Sequence, residues 1–178
     1  MSVALWLLAL QGVLGAADTA YYHEWRARLP ARPETTAPEL KLHAVRDFLY
    51  AALFLTLPWR AWQGWFLVAL AAIIAAEIVL TLTDFVVEIQ VRKSLGDVYA
   101  GERVMHAVMG ILYGAMAAYL LPAAAAWWSQ PTALAAYDSG VPELLKWAIT
   151  VMGLGVLLSG LRDLYAAYDL PGGGWPWK

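Results

Sequence analysis

The stretch that decides the fold is residues 62–87, WQGWFLVALAAIIAAEIVLTLTDFVV. It is apolar for most of its length, long enough for a spanning helix of about 20 residues, and free of the strict alternation that marks a strand. Yet it contains Glu77 in the middle of Ala-Ile-Ile-Ala-Ala-Glu-Ile-Val-Leu, and Asp84 seven residues later. A carboxylate facing lipid is expensive, so these acids predict a helix whose charged stripe faces other helices.

Four further apolar runs flank this one. They cover Leu5 to Ala20, His43 to Leu57, Val104 to Trp128 and Leu144 to Tyr168. Backbone polar groups inside a bilayer must be satisfied within the chain, so each run predicts a helix. The composition agrees: 61% of the 178 residues are hydrophobic and only 15% are charged, whereas a soluble domain carries about a quarter charged. The expected fold is an all-α integral membrane bundle of five transmembrane helices. It forms a single domain over residues 1–170, with an irregular tail over 171–178. No internal repeat is evident, although spans one–two and three–four are both hairpins. Gly15-Ala16-Ala17 resembles a signal-peptide cleavage site, but no lysine or arginine precedes the first run, so it reads as a span.

Short breakers join the spans. Pro30, Pro33 and Pro38 interrupt the chain between the first and second, and Pro58-Trp59-Arg60 turns between the second and third. Ser94 to Gly101 links the third and fourth, and Ser129 to Pro142 forms the longest loop. Most tryptophans read as interfacial belt residues, and the helix glycines as close-packing positions.

Lysine and arginine give the orientation. Arg26, Arg28, Arg32, Lys41, Arg46, Arg92, Lys93, Arg103, Arg162 and Lys178 fall on one side, and only Arg60 and Lys146 on the other. Positive residues stay in the cytoplasm, which predicts the N-terminus outside and the C-terminus cytoplasmic, in a membrane such as the bacterial inner membrane. The net charge of −2 offers no basic field for nucleic acid. Without cysteine, thiolate catalysis, iron–sulfur clusters and cysteine zinc sites are excluded.

Ionisable residues concentrate toward the cytoplasmic half. Glu39 and His43 are four apart and share a helix face, with Asp47 one turn further; Glu102 and His106 repeat the spacing. Glu77, Asp84 and Glu88 line one face of the third helix. On the first helix Asp18 shares a face with Tyr22, and His23 follows at its end. Asp18, His43, Glu77 and His106 fall at similar depth by helical rise. So many anions in low dielectric need protonation, arginine partners or a divalent cation, and mixed carboxylate and imidazole groups suit the cation. The candidate metal ligands are Asp18, Glu39, His43, Glu77, Asp84, Glu102 and His106. His23, Asp47, Glu88 and Tyr22 are additional or supporting groups. Bland readings compete at several positions: interhelical hydrogen bonds for the histidines, pairing with Arg46 or Arg103 for Asp18 and Asp84, and helix-dipole complementarity for Glu39 and Glu102.

Two glutamate–histidine pairs with further carboxylates on a helical bundle resemble, in ligand chemistry, the di-metal carboxylate proteins, which include ferritin-like oxidases and oxygenases. The usual motif there is Glu-x-x-His; here the spacing is four, and the resemblance covers Asp18 to His106. It implies divalent ions, two in number. Iron suits oxygen activation on a lipophilic substrate, and zinc or manganese suits hydrolysis. The expected function is therefore a membrane-embedded di-metal enzyme, oxidoreductase or hydrolase, working at the cytoplasmic side. The alternative is a proton or metal-ion transporter, which with five spans would need a homo-oligomer to form a pore. A b-type cytochrome with His43 and His106 as axial ligands, and a scaffold with paired charges, are further alternatives.

Overall fold

The structure is a computed structural model and describes residues 1–177. It contains five long helices: α1 (Ser2–Asp18), α2 (Pro33–Thr56), α3 (Trp65–Val91), α4 (Ala100–Ala124) and α5 (Glu143–Ala167). Four helical segments are long and apolar enough to cross a membrane: those containing α1, α3, α4 and α5. The remaining helix, α2, is about as long but has Glu34, Glu39, Lys41, His43, Arg46 and Asp47 between its start and just past its midpoint. It packs tightly on α5 and on α3, which keeps much of that charge off the outer surface of the bundle.

Three local features depart from the sequence expectations. First, α2 begins ten residues before the apolar run, and Pro38 lies inside it rather than breaking it. Pro33 starts the helix, where a missing N–H costs nothing; Pro38, early in the helix, removes the single bond to the Glu34 carbonyl. Second, two short strands pair antiparallel, β1 (Arg60–Gln63) with β2 (Ala133–Ala136), in the register Arg60 opposite Ala136. Four residues are too few for an alternation signal. The ribbon ties the α2–α3 turn to the long α4–α5 loop at one end of the bundle. Nearby, the Tyr137 hydroxyl donates to the Leu57 carbonyl at 2.6 Å, and burial pushes that phenol above its ordinary pKa. Third, α1 passes directly into a π-helical segment, Thr19–Ala27.

The bundle is layered along its axis. The strand end holds the main apolar core, where Leu5, Leu8, Leu53, Phe54, Leu70, Met116, Leu120 and Ile149 interlock. The opposite end is sealed by a smaller apolar cluster of Ala27, Leu29, Leu40, Ala166 and Ala167. Charged groups fill the layer between. Gly153 and Gly160 let α5 approach α2: a Cβ at Gly153 would lie 2.9 Å from Phe54 Cβ, and one at Gly160 would lie 2.8 Å from Asp47 Cβ. Gly12 is as tight against Phe54 and Met152, but Gly15, Gly110, Gly114 and Gly155 face open space, so those four are not packing glycines.

After α5 the chain makes consecutive turns to Trp177 and folds back on the site end. The Trp177 indole N–H and the Arg162 guanidinium both donate to Glu24 on the π-helical segment. Most of the expected tail is therefore docked; Lys178, counted above for orientation, lies outside the described residues.

Candidate metal centre

The π-helical segment positions the first part of the site. Its hydrogen bonds run i to i+5 rather than i to i+4, so residues five apart return to one face. Asp18 and His23 thereby point the same way, and Tyr22, expected on the Asp18 face from α-helical spacing, turns toward α4. Its hydroxyl sits where a Cβ on Gly101 would fall, and its ring stacks on Tyr99 at 6.1 Å. Asp18 Oδ2 lies 3.1 Å from His106 Nε2 and 3.4 Å from His23 Nε2. One ligand atom each from Asp18, His23 and His106 lies within 4.8 Å of the others. His106 is further held by Glu88, 3.6 Å from Nδ1, and by the Phe85 ring stacked on it at 5.5 Å.

A second group faces this one. His43 Nε2 is 3.3 Å from Asp84 Oδ2 and 3.9 Å from Glu39 Oε1, while Nδ1 is 3.7 Å from Asp163 Oδ2 on α5. The His23 and His43 rings stack at 4.8 Å and join the two groups. All of these carboxylates are less than a tenth exposed, and Glu39 and Glu102 are fully buried.

The two groups follow a pattern that the sequence analysis missed. Gln11, Asp18, Glu39, His43 and Tyr50 in the α1–α2 hairpin match Glu77, Asp84, Glu102, His106 and Tyr113 in the α3–α4 hairpin. Both series have spacings of seven, four and seven around a connection of variable length, and that variability hides the repeat. The packing is equivalent as well: α1 lies on α4 and α2 on α3. Each aspartate consequently meets the histidine of the other hairpin, Asp18 with His106 and Asp84 with His43.

The remaining candidates take other partners. Arg92, fully buried and also missed by sequence reasoning, forks onto Glu39 at 2.7–3.0 Å and reaches Glu102 at 3.1 Å. It bridges the two glutamates of the repeat. Reading Arg92 only as a positive-side residue concealed this, because its partners come from the starts of two other helices. Glu102 also accepts from the Tyr99 backbone N–H and lies 3.3 Å from His23. Glu77 sits two turns from Asp84 toward the strand end. Its partner is Arg46, 3.8 Å away, and no histidine pairs with it among the described residues. Arg46 also donates to Asp84 at 2.8 Å. Arg103, expected as a partner for Asp18 or Asp84, instead pairs with exposed Asp97. Arg162 binds Glu24, and its neighbour Asp163 enters the site beside His43.

Several buried atoms in this layer have no hydrogen bond among the described residues: Asp18 Oδ1, Asp84 Oδ1, His23 Nε2, His106 Nδ1 and Glu88 Oε2. Buried polar atoms are normally satisfied. Orphan carboxylate and imidazole atoms within one buried layer fit the donor chemistry of a divalent cation, whose bonds to such donors are about 2.0–2.2 Å. Beside them is a cavity of about 840 Å³, lined by Asp18, His23, His43, Asp84 and His106 and, further along, by Phe54, Leu82, Met109, Met152 and Val156. No family of proteins, no curated protein and no solved structure was found to match this chain.

Proposed function

We propose that this protein is an integral membrane metalloenzyme that holds two divalent ions in the histidine–carboxylate layer and acts on a lipophilic substrate. The observation that carries the reading is the convergence of Asp18, His23 and His106, with ligand atoms within 4.8 Å and orphaned buried donors around them. The matched group at His43 and Asp84 supports the count of two, one ion for each aspartate–histidine pair formed between the halves of the repeat. In this reading the ligands are Asp18, His23 and His106 on one side and His43 and Asp84 on the other. Glu88, Asp163, Glu39 and Glu102 orient the imidazoles and neutralise charge, as carboxylates behind metal-bound histidines commonly do. The ions supply Lewis acidity or oxygen activation to a substrate in the adjoining cavity; iron, zinc and manganese all suit the donor set.

We further propose that all five helices span the membrane, α2 doing so inside the bundle. The N-terminus then lies outside and the site on the cytoplasmic side of a bacterial inner membrane, as the lysine and arginine asymmetry requires. Elemental analysis of protein purified without chelators tests the metal reading. The expected result is close to two ions per chain, reduced in His106→Ala and His43→Ala; folded wild-type protein free of iron, zinc and manganese overturns it. A transporter is the second reading, favoured by Glu77. It is fully buried, with neither carboxylate oxygen hydrogen-bonded among the described residues, and extends the ionisable layer toward the strand end. Ion flux into liposomes, abolished in Glu77→Gln, would establish it.

A further inference from the structure

The cavity has a second polar layer, two helical turns from the histidines. It is built from the outer members of the repeat. Gln11 donates its amide N–H to the Tyr50 hydroxyl at 3.3 Å, and the Tyr50 and Tyr113 rings meet edge-on at 5.6 Å. The Gln11 carbonyl oxygen and the Tyr113 hydroxyl have no partner among the described residues. Both side chains line the cavity, and both residues are over nine-tenths buried, at 7% and 6% exposure. One is an acceptor and the other a donor. A hydroxyl group, with one proton to give and two lone pairs, satisfies both at once.

The cavity also reaches the flank of the bundle. Helix α5 packs along α2 and, less closely, on α1, where the cavity wall also includes Ala16, Gly155 and Leu158, exposed on the bundle surface. The repeat has no equivalent helix between α3 and α4, which barely touch each other. The cavity wall there includes Ile78, Leu82 and Gly110, all exposed on the bundle surface, with Phe85 and Met109 behind them. A Cβ on Gly110 would meet nothing. This opening is apolar, and in a membrane it faces acyl chains, so what passes through it comes from the lipid phase.

We propose that the cavity is the binding site of a membrane-borne amphiphile with a hydroxyl head: the head bridges Gln11 and Tyr113, and the aliphatic tail lies in the α3–α4 opening over Ile78 and Leu82. This names the substrate class of the metal centre and rests on that reading. Carbon atoms near the head lie between the two polar layers, on the path from Tyr113 to His106. Tyr113 is a positioning residue here.

The test is photolabelling of wild-type protein in detergent with a long-chain primary alcohol carrying a diazirine, competed by unlabelled alcohol or by its methyl ether, with metal content measured on every sample. The expected result is labelling of α3 and α4 peptides that line the cavity, with the alcohol competing about tenfold better than the ether, as one lost hydrogen bond allows. Gln11→Leu, which removes the acceptor for the hydroxyl proton, should erase that preference; Tyr113→Phe should weaken alcohol and ether alike, and Gly110→Leu should abolish the labelling, while all three retain metal. Equal competition by ether and alcohol, or label confined to outward-facing residues and unchanged in Gly110→Leu, overturns the proposal. If the preference holds in protein that carries no metal, the hydroxyl site stands and the metal reading alone falls. If metal is present and the preference is absent, the substrate inference alone falls.

Discussion

The two hairpins of this bundle carry matching polar series, identical except that Gln11 in the first answers Glu77 in the second, yet they finish the site differently. In the first, the π-helical segment after Asp18 swings His23 into the layer beside Asp18 and His106. In the second, α3 stays α-helical past Asp84, and the added groups are Glu88 and Arg92. The halves also differ in neutralisation. Asp84 is met by the Arg46 guanidinium at 2.8 Å, and Asp18, among the described residues, by imidazoles alone. A guanidinium competes with a metal ion for a carboxylate; a neutral imidazole joins it as a ligand. On the proposed reading the repeat supplies two ion positions, and the change of helical pitch after Asp18 together with Arg46 beside Asp84 would make them unequal.

The largest expected effect addresses that inequality. His106→Ala should lower affinity at the Asp18 position at least tenfold, and Asp18→Asn should act alike, because both leave only a fragment of the ligand set. His43→Ala should remove the weaker ion and leave the stronger in place. Metal stoichiometry after graded chelation reads both outcomes, and equal losses in the two variants would break the comparison.

Next in size is the bridge that joins the halves. Arg92→Met leaves Glu39 and Glu102 buried without their shared cation, which costs about 3–5 kcal/mol in comparable cases. Unfolding in detergent, followed by circular dichroism, should show this loss. The triple variant Arg92→Met, Glu39→Gln, Glu102→Gln should regain most of it. If Arg92→Met alone is neutral, the bridge is not what holds the starts of α2 and α4 together.

The covered and uncovered sides of the bundle give a smaller contrast. Gly160→Leu forces a side chain against Asp47 and Phe48 and should destabilise by about 1–3 kcal/mol. Gly110→Leu, whose side chain enters open space, should stay within about 0.5 kcal/mol of wild type in the same assay. Smallest is Tyr137→Phe, which removes one hydrogen bond to Leu57 at the strand end and should cost roughly 0.5–1.5 kcal/mol without changing metal content. Metal loss in that variant would show that the two ends of the bundle are coupled.

Much of the candidate site was legible in the chain because a polar residue inside an apolar run is conspicuous. Asp18, His43, Asp84 and His106 stood out for that reason, and the structure brings them into one layer. Arg92 did not stand out, since it lies near the end of a helix where charge is ordinary. His23 was displaced from its partners by an assumption of uniform α-helical phase. The repeat escaped notice because its halves match at only five positions, four of them identical, across connections of unequal length.

The sequence by itself determined five helices, their apolar surfaces and the concentration of ionisable groups toward one end, because periodicity and transfer cost are local properties read one residue at a time. The tertiary structure decided the rest. It set which carboxylate meets which histidine, that Arg92 joins Glu39 to Glu102 while Glu77 goes to Arg46, and that the bundle is left open between α3 and α4. Those outcomes depend on which helices become neighbours and on one change of helical pitch after Asp18, and neither is encoded at any single position.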